Sequence, residues 1–117
     1  MGFLDKQIKK IEEKCKEELK TLLLEDETLE KFYLVKEDYC AITNLRLIFV
    51  DNSFTSSKKA TTGVPFNKIS FVSLKKGGTF TISKDVIVHV GNKDIEIDLY
   101  DTNQAIEIFK IISKKIL

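Results

Sequence analysis

A single histidine, His89, is the only imidazole among 117 residues, and it is the first place to look for acid–base chemistry or a metal. It lies in 86-VIVHV-90, where strand alternation groups it with Ile87 and apart from Val86, Val88 and Val90. A catalytic or metal-binding histidine needs an orienting acid or a second ligand, and no HxxxH, HExxH or GxSxG spacing is present. His89 therefore reads as structural. Glu96 and Asp98 stand two apart on one face of 95-IEIDL-99, but nothing in the sequence points to a pocket that would push their pKa values apart, so they read as a solvated face. The pair 77-GG-78 follows two lysines, yet a phosphate loop needs G-x-x-x-x-G-K-[ST] leading into a helix, and here a strand follows. Cys15 and Cys40 lack CxxC spacing and a nearby histidine, and read as reduced thiols. No catalytic residue, metal or cofactor is expected.

The remaining charged candidates are Lys58 and Lys59 in 52-NSFTSSKK-59 and Lys75 and Lys76 in 75-KKGG-78. A barrel that brought these two loops to one end would gain about 1 kcal/mol per lysine toward an anionic membrane surface. The net charge of +1 is unevenly spread: residues 53–93 carry seven Lys against one Asp, while residues 25–51 carry seven acids against three basic residues. Phe32, Tyr33, Phe49 and Phe71 fall in strand-like segments without the basic–aromatic interleaving of single-strand binders, so nucleic acid is not an expected partner.

These residues must be positioned by a small globular domain. The chain is 43% hydrophobic and 32% charged with one proline, which excludes disordered and low-complexity classes. No apolar run approaches the roughly 20 residues of a membrane span, and charges recur from Asp5 onward where a signal peptide would be apolar. A cytoplasmic location is expected, with attachment to a membrane surface as the alternative. From Phe3 to Leu24 the positions Leu4, Ile8, Ile11, Cys15, Leu19 and Leu22 recur at spacings of three and four, the pattern of an amphipathic helix of about six turns. The acidic 25-EDE-27 reads as a linker.

Strand signals follow at 29–36, 39–43, 45–51, 60–66, 68–74, 86–90 and 95–100, with a short extra strand at 79–83 as an option. Connections this short permit only antiparallel pairing. Asp101 and Gln104 hold the outer positions of a capping box, and Ala105, Ile108, Phe109, Ile112 and Ile116 then line one face of a closing helix. Helix, about seven strands and helix describe a small barrel or orthogonal sandwich plugged at one open end.

The segments 43-TNLRLIFVD-51, 65-PFNKISFVSLKKGG-78, 86-VIVHV-90, 95-IEIDL-99 and 105-AIEIFKIISK-114, in this order and spacing, resemble the bacterial pleckstrin-homology (PH) domains of the YokE-like group. The resemblance covers roughly residues 29 to 116. It implies a mainly β (α+β) fold, a seven-strand antiparallel two-sheet barrel with a C-terminal capping helix, and a tendency to homo-oligomeric assembly. Leu45 stands where the family usually has a polar residue, and the helix at 3–24 lies outside the similar region. In PH domains that bind phosphoinositides the basic motif lies largely between the first two strands; here that turn is the acidic Glu37-Asp38.

The expected division is an N-terminal helix and linker at 1–28 and a PH-like barrel at 29–117. On alternation, Leu45, Leu47 and Phe49 share one face of their strand and Arg46, Ile48 and Val50 the other, so the barrel interior accounts for only one set. The second set needs a cover, either the N-terminal helix of the same chain or a second copy. The functional expectation is a non-enzymatic, self-associating module for protein–protein contacts, with Leu4, Ile8, Ile11, Ile48 and Val50 as its assembly surface. The alternative is a peripheral membrane adaptor that binds anionic headgroups through Lys58, Lys59, Lys75 and Lys76.

Overall fold

The computed structural model describes residues 3–35, 38–51, 60–77 and 82–117. The chain runs through α1 (Phe3–Leu22), β1 (Leu29–Val35), β2 (Asp38–Thr43), β3 (Arg46–Asp51), β4 (Ala60–Pro65) and a 3-10 turn (Phe66–Lys68). It continues through β5 (Phe71–Lys76), β6 (Ile82–Val90), β7 (Lys93–Asp98) and α2 (Thr102–Ile116). The strands form two antiparallel meanders, a four-stranded sheet β1-β2-β3-β4 and a three-stranded sheet β5-β6-β7. This is the expected two-sheet, seven-strand architecture with a helix at each end.

Alternation sorts the side chains into two separate apolar clusters. Tyr33, Val35, Cys40, Ile42, Leu47 and Val64 from the first sheet meet Val86, Val88 and Ile97 from the second, and Ala105, Ile108 and Ile112 of α2 close that core. The outer face of the first sheet carries Leu34, Tyr39, Ala41, Ile48 and Val50, and these are buried under Leu19 of α1, with Cys15, Leu22 and Leu23 beside it. Both faces of β3 are thus covered within one chain, which is why its sequence shows no polar alternation.

Local chemistry sets the ends of the elements. The Asp101 carboxylate accepts from the Gln104 backbone N–H at 2.8 Å, and the Gln104 side-chain oxygen accepts from the Tyr100 N–H at 3.3 Å, one residue before the usual reciprocal position. At the β6–β7 turn Val90 pairs with Lys93, and Gly91 takes φ +60°, a conformation that costs a side-chain-bearing residue more.

Two expectations change. The segment 68–74 does not form one strand: Phe66–Lys68 turns as a 3-10 helix, with the Ile69 N–H donating to the Phe66 carbonyl at 3.1 Å. Alternation is therefore reset, so Ile69 is buried while Phe71 is 55% exposed on the opposite face. The strand at 86–90 begins earlier, at Ile82, as one nine-residue strand. Residues 79–81 of the optional extra strand lie outside the described residues, as do Glu37 of the acidic turn and Gly78 of the glycine pair.

Candidate functional site

The joint between helix and barrel is built by 24-LEDETLE-30 and 43-TNLR-46. Glu27, read as linker, is buried, and its carboxylate takes four hydrogen bonds. Arg46 donates from Nε and Nη2 at 2.9 Å each, Thr43 Oγ1 donates at 2.7 Å, and the Leu24 N–H donates at 3.0 Å. Chiefly through the Arg46 hydrogen bonds, the Glu27 carboxyl is pulled down to about 2. Arg46 Nη2 also donates to the Leu22 carbonyl at 3.1 Å, and Asn44 accepts from the Thr28 N–H at 2.8 Å, so the hairpin tip holds both the end of α1 and the start of β1. A carbon added at Gly63 would sit 2.7 Å from Arg46 Nη1, and the clamp leaves that guanidinium little room to yield. Gly63→Ala is expected to cost about 1–3 kcal/mol in a urea melt, and less in a chain that already lacks Glu27.

The second half of α1 is seated on the sheet by this joint. Tyr39 OH donates to Glu18 at 2.6 Å, and Lys16 Nζ lies 5.3 Å from the centre of the Phe32 ring. Burial first and the Glu18 carboxylate second raise the Tyr39 pKa. Ile48 and Val50, expected at an assembly contact, lie beneath this half of the helix in the same chain. The first half is less covered: Ile8 is 43% and Ile11 49% exposed. Ile8 lines a cleft of about 140 Å³ with Phe32, Leu34 and Tyr100, and Tyr100 is itself exposed. The side chain of Leu4 lies outside the described residues.

Of the four lysine candidates, two fall among the described residues. Lys58 and Lys59 lie outside the described residues, Lys76 is exposed, and Lys75 Nζ sits 3.2 Å from Glu96 Oε1. Glu96 is thereby tied to a lysine rather than paired with Asp98. Asp98 instead faces Asp85 across the β6–β7 ladder, and burial, followed by the hydrogen bond to Asp98, raises the Asp85 pKa.

His89 does have the orienting acid that the sequence did not reveal. Its Nδ1 lies 2.8 Å from Asp94 Oδ1 and its Nε2 2.9 Å from Ser73 Oγ. A carboxylate only accepts, so a neutral imidazole donates from Nδ1 to Asp94 and accepts from Ser73 at Nε2. The order resembles that of acyl-transfer triads. Here it crosses three strands on the outer face of the second sheet, and the Phe71 ring stacks on the imidazole with centroids 3.9 Å apart. The array ties β5, β6 and β7 together.

A larger crevice of about 400 Å³ opens where β4 faces the β6–β7 hairpin, with Phe49, Val64, Val90 and Ile95 in its walls and Lys68 and Lys93 beside them. Among the described residues no group of three or more His, Cys, Asp or Glu is placed to hold a metal, and no helix is long and apolar enough to cross a membrane.

This geometry matches known proteins. A family model described as bacterial PH domain matches residues 2–116, which includes α1 and so extends beyond the 29–116 span of the resemblance. The uncharacterized protein YozO of Bacillus subtilis (strain 168) is 27% identical over 96 residues, 82% of this chain and 84% of the relative. A crystal structure of a DUF1696 family protein with a pleckstrin-homology domain from Shewanella loihica PV-4 superposes with a TM-score of 0.69 at 24% identity, covering 91% of this chain and 93% of the other. A pleckstrin homology domain from Shewanella amazonensis SB2B gives 0.69 at 22% identity, with coverage of 88% and 96%. At these identities the two structures speak to the fold.

Proposed function

The chain belongs to the bacterial PH domain family, and on that ground we propose that it is a non-enzymatic interaction module that self-associates through the uncovered first half of α1. The observation that carries this reading is the division of one apolar stripe. Leu19 is buried on its own sheet, while Ile8 and Ile11, on the same stripe, remain 43% and 49% exposed. Tyr100 adds a third exposed apolar group across the cleft that Ile8 lines. Exposed apolar groups gathered in one place mark a contact surface more often than scattered ones do. A second copy offers the same patch, so a two-fold, self-complementary contact would cover both.

The test is size exclusion coupled to light scattering on the full chain and on the double variant Ile8→Glu/Ile11→Glu. An oligomer that becomes a monomer with an unchanged circular dichroism spectrum is expected; a native chain that stays monomeric at every concentration sinks the proposal. Removing residues 1–24 is a poorer test, because losing Leu19 would bare Ile48 and Val50. Binding to anionic vesicles that is salt-sensitive and lost on replacing Lys58, Lys59, Lys75 and Lys76 by alanine would favour the peripheral-adaptor alternative. That alternative has the weaker support, since Lys75 is already matched to Glu96.

A further inference from the structure

We propose that the crevice between β4 and the β6–β7 hairpin binds a single-chain anionic amphiphile, of which a fatty carboxylate is the simplest case. β4 is the free edge of the four-stranded sheet and β7 the free edge of the three-stranded one, so the sheets part here and leave a gap that neither fills. The gap of about 400 Å³ falls within the range of ligand sites, roughly 300–1,000 Å³. Phe49, Val90 and Ile95 in its walls are partly buried and abut the central core, and Val64 belongs to that core. An apolar tail placed there would extend the core rather than lie on the surface.

The charges choose the head group. Lys68 comes from the 3-10 turn and Lys93 from the start of β7, and both line the crevice. Neither ammonium has a hydrogen-bond or ion-pair partner among the described residues, unlike Lys75, Lys84 and Lys115, which are matched to Glu96, Asp98 and Glu30. The remaining charged wall residue, Asp94, bonds to His89 Nδ1 at 2.8 Å. Two unmatched cations beside an apolar wall fit an anion carrying a tail: a cationic amphiphile would be repelled, and a small inorganic anion would leave the wall unused.

The test titrates the full chain with octanoate, decanoate and laurate below their micelle concentrations, followed by calorimetry and by amide chemical shifts. Each carboxylate is compared with the alcohol of equal length and with inorganic phosphate. Affinity is expected to rise about fourfold per added methylene until the crevice is full, since each buried CH₂ adds a constant increment. The alcohols are expected to bind about tenfold more weakly, and added salt to narrow the difference. Shifts should centre on Phe49, Val64, Val90 and Ile95, and Lys68→Glu/Lys93→Glu, a change at exposed positions, should abolish carboxylate binding without lowering the melting temperature. The proposal is overturned by equal binding of alcohol and carboxylate, by binding that survives the double variant, or by shifts centred on Ile8 and Tyr100. Phosphate binding as tight as that of laurate, or binding to anionic vesicles with none to free carboxylates, also overturns it, the latter in favour of a bilayer surface.

Discussion

Glu27→Ala is expected to destabilise the folded chain by about 3–5 kcal/mol, read as a lower urea midpoint at an unchanged slope. The size follows from what is left behind. The Glu27 side chain is fully buried against an Arg46 side chain that is only 25% exposed, so removing the carboxylate strands a cation that is largely covered. It also deprives the Thr43 hydroxyl and the Leu24 N–H of their acceptor. Glu27→Leu combined with Arg46→Met should recover much of the loss, because removing both charges leaves neither unpaired. The same carboxylate gives stability a pH dependence of known sign. Its pKa is about 2 in the fold against 4.5 for the free group. Its contribution is therefore complete above about 4.5, declines as pH falls between the two values and is gone below about 2.

Leu19→Ala is expected to cost about 2–5 kcal/mol, the range for emptying a buried leucine site. The loss should fall mainly on the helix. Leu19 is 1% exposed at the centre of the outer cluster, and that cluster is separate from the one between the sheets. Amide exchange should therefore show α1 losing protection while β6 and α2 keep theirs, the behaviour of a unit that opens on its own. A uniform loss across both clusters would mean that helix and barrel unfold as one.

The parts legible from sequence are those in which a residue's role is set by its near neighbours. Leu47 and Phe49 point to one core and Ile48 and Val50 to the other, as alternation requires, and Asp101 caps α2 through a contact three residues away. The parts that escaped depend on register or on distant partners. Ile69 and Phe71 read as one strand face until the 3-10 turn resets the count. Ser73 and Asp94 reach His89 only because β5 and β7 flank β6 in a particular register, which no local spacing announces. Glu27 read as linker together with Glu25 and Asp26, because its partner Arg46 lies nineteen residues on, across a hairpin. Of the assembly residues, Ile48 and Val50 turned out to lie inside the chain's own fold because half of the helix stripe suffices to cover that sheet face.

The two cysteines fall one to each cluster, and that division equips the protein with a pair of chemical clocks. Cys15 lies on α1, partly exposed, its thiol raised by burial and then by Glu18. Cys40 is wholly enclosed between the sheets, where burial pushes it up to about 12. Only a thiolate attacks an alkylating reagent, so the raised pKa slows Cys15, while Cys40 must also wait for the barrel to open. Iodoacetamide should mark the partly exposed Cys15 first and slowly, faster once the helix is loosened by Leu19→Ala, and Cys40 only when the barrel opens, and mass spectrometry of one sample would follow both.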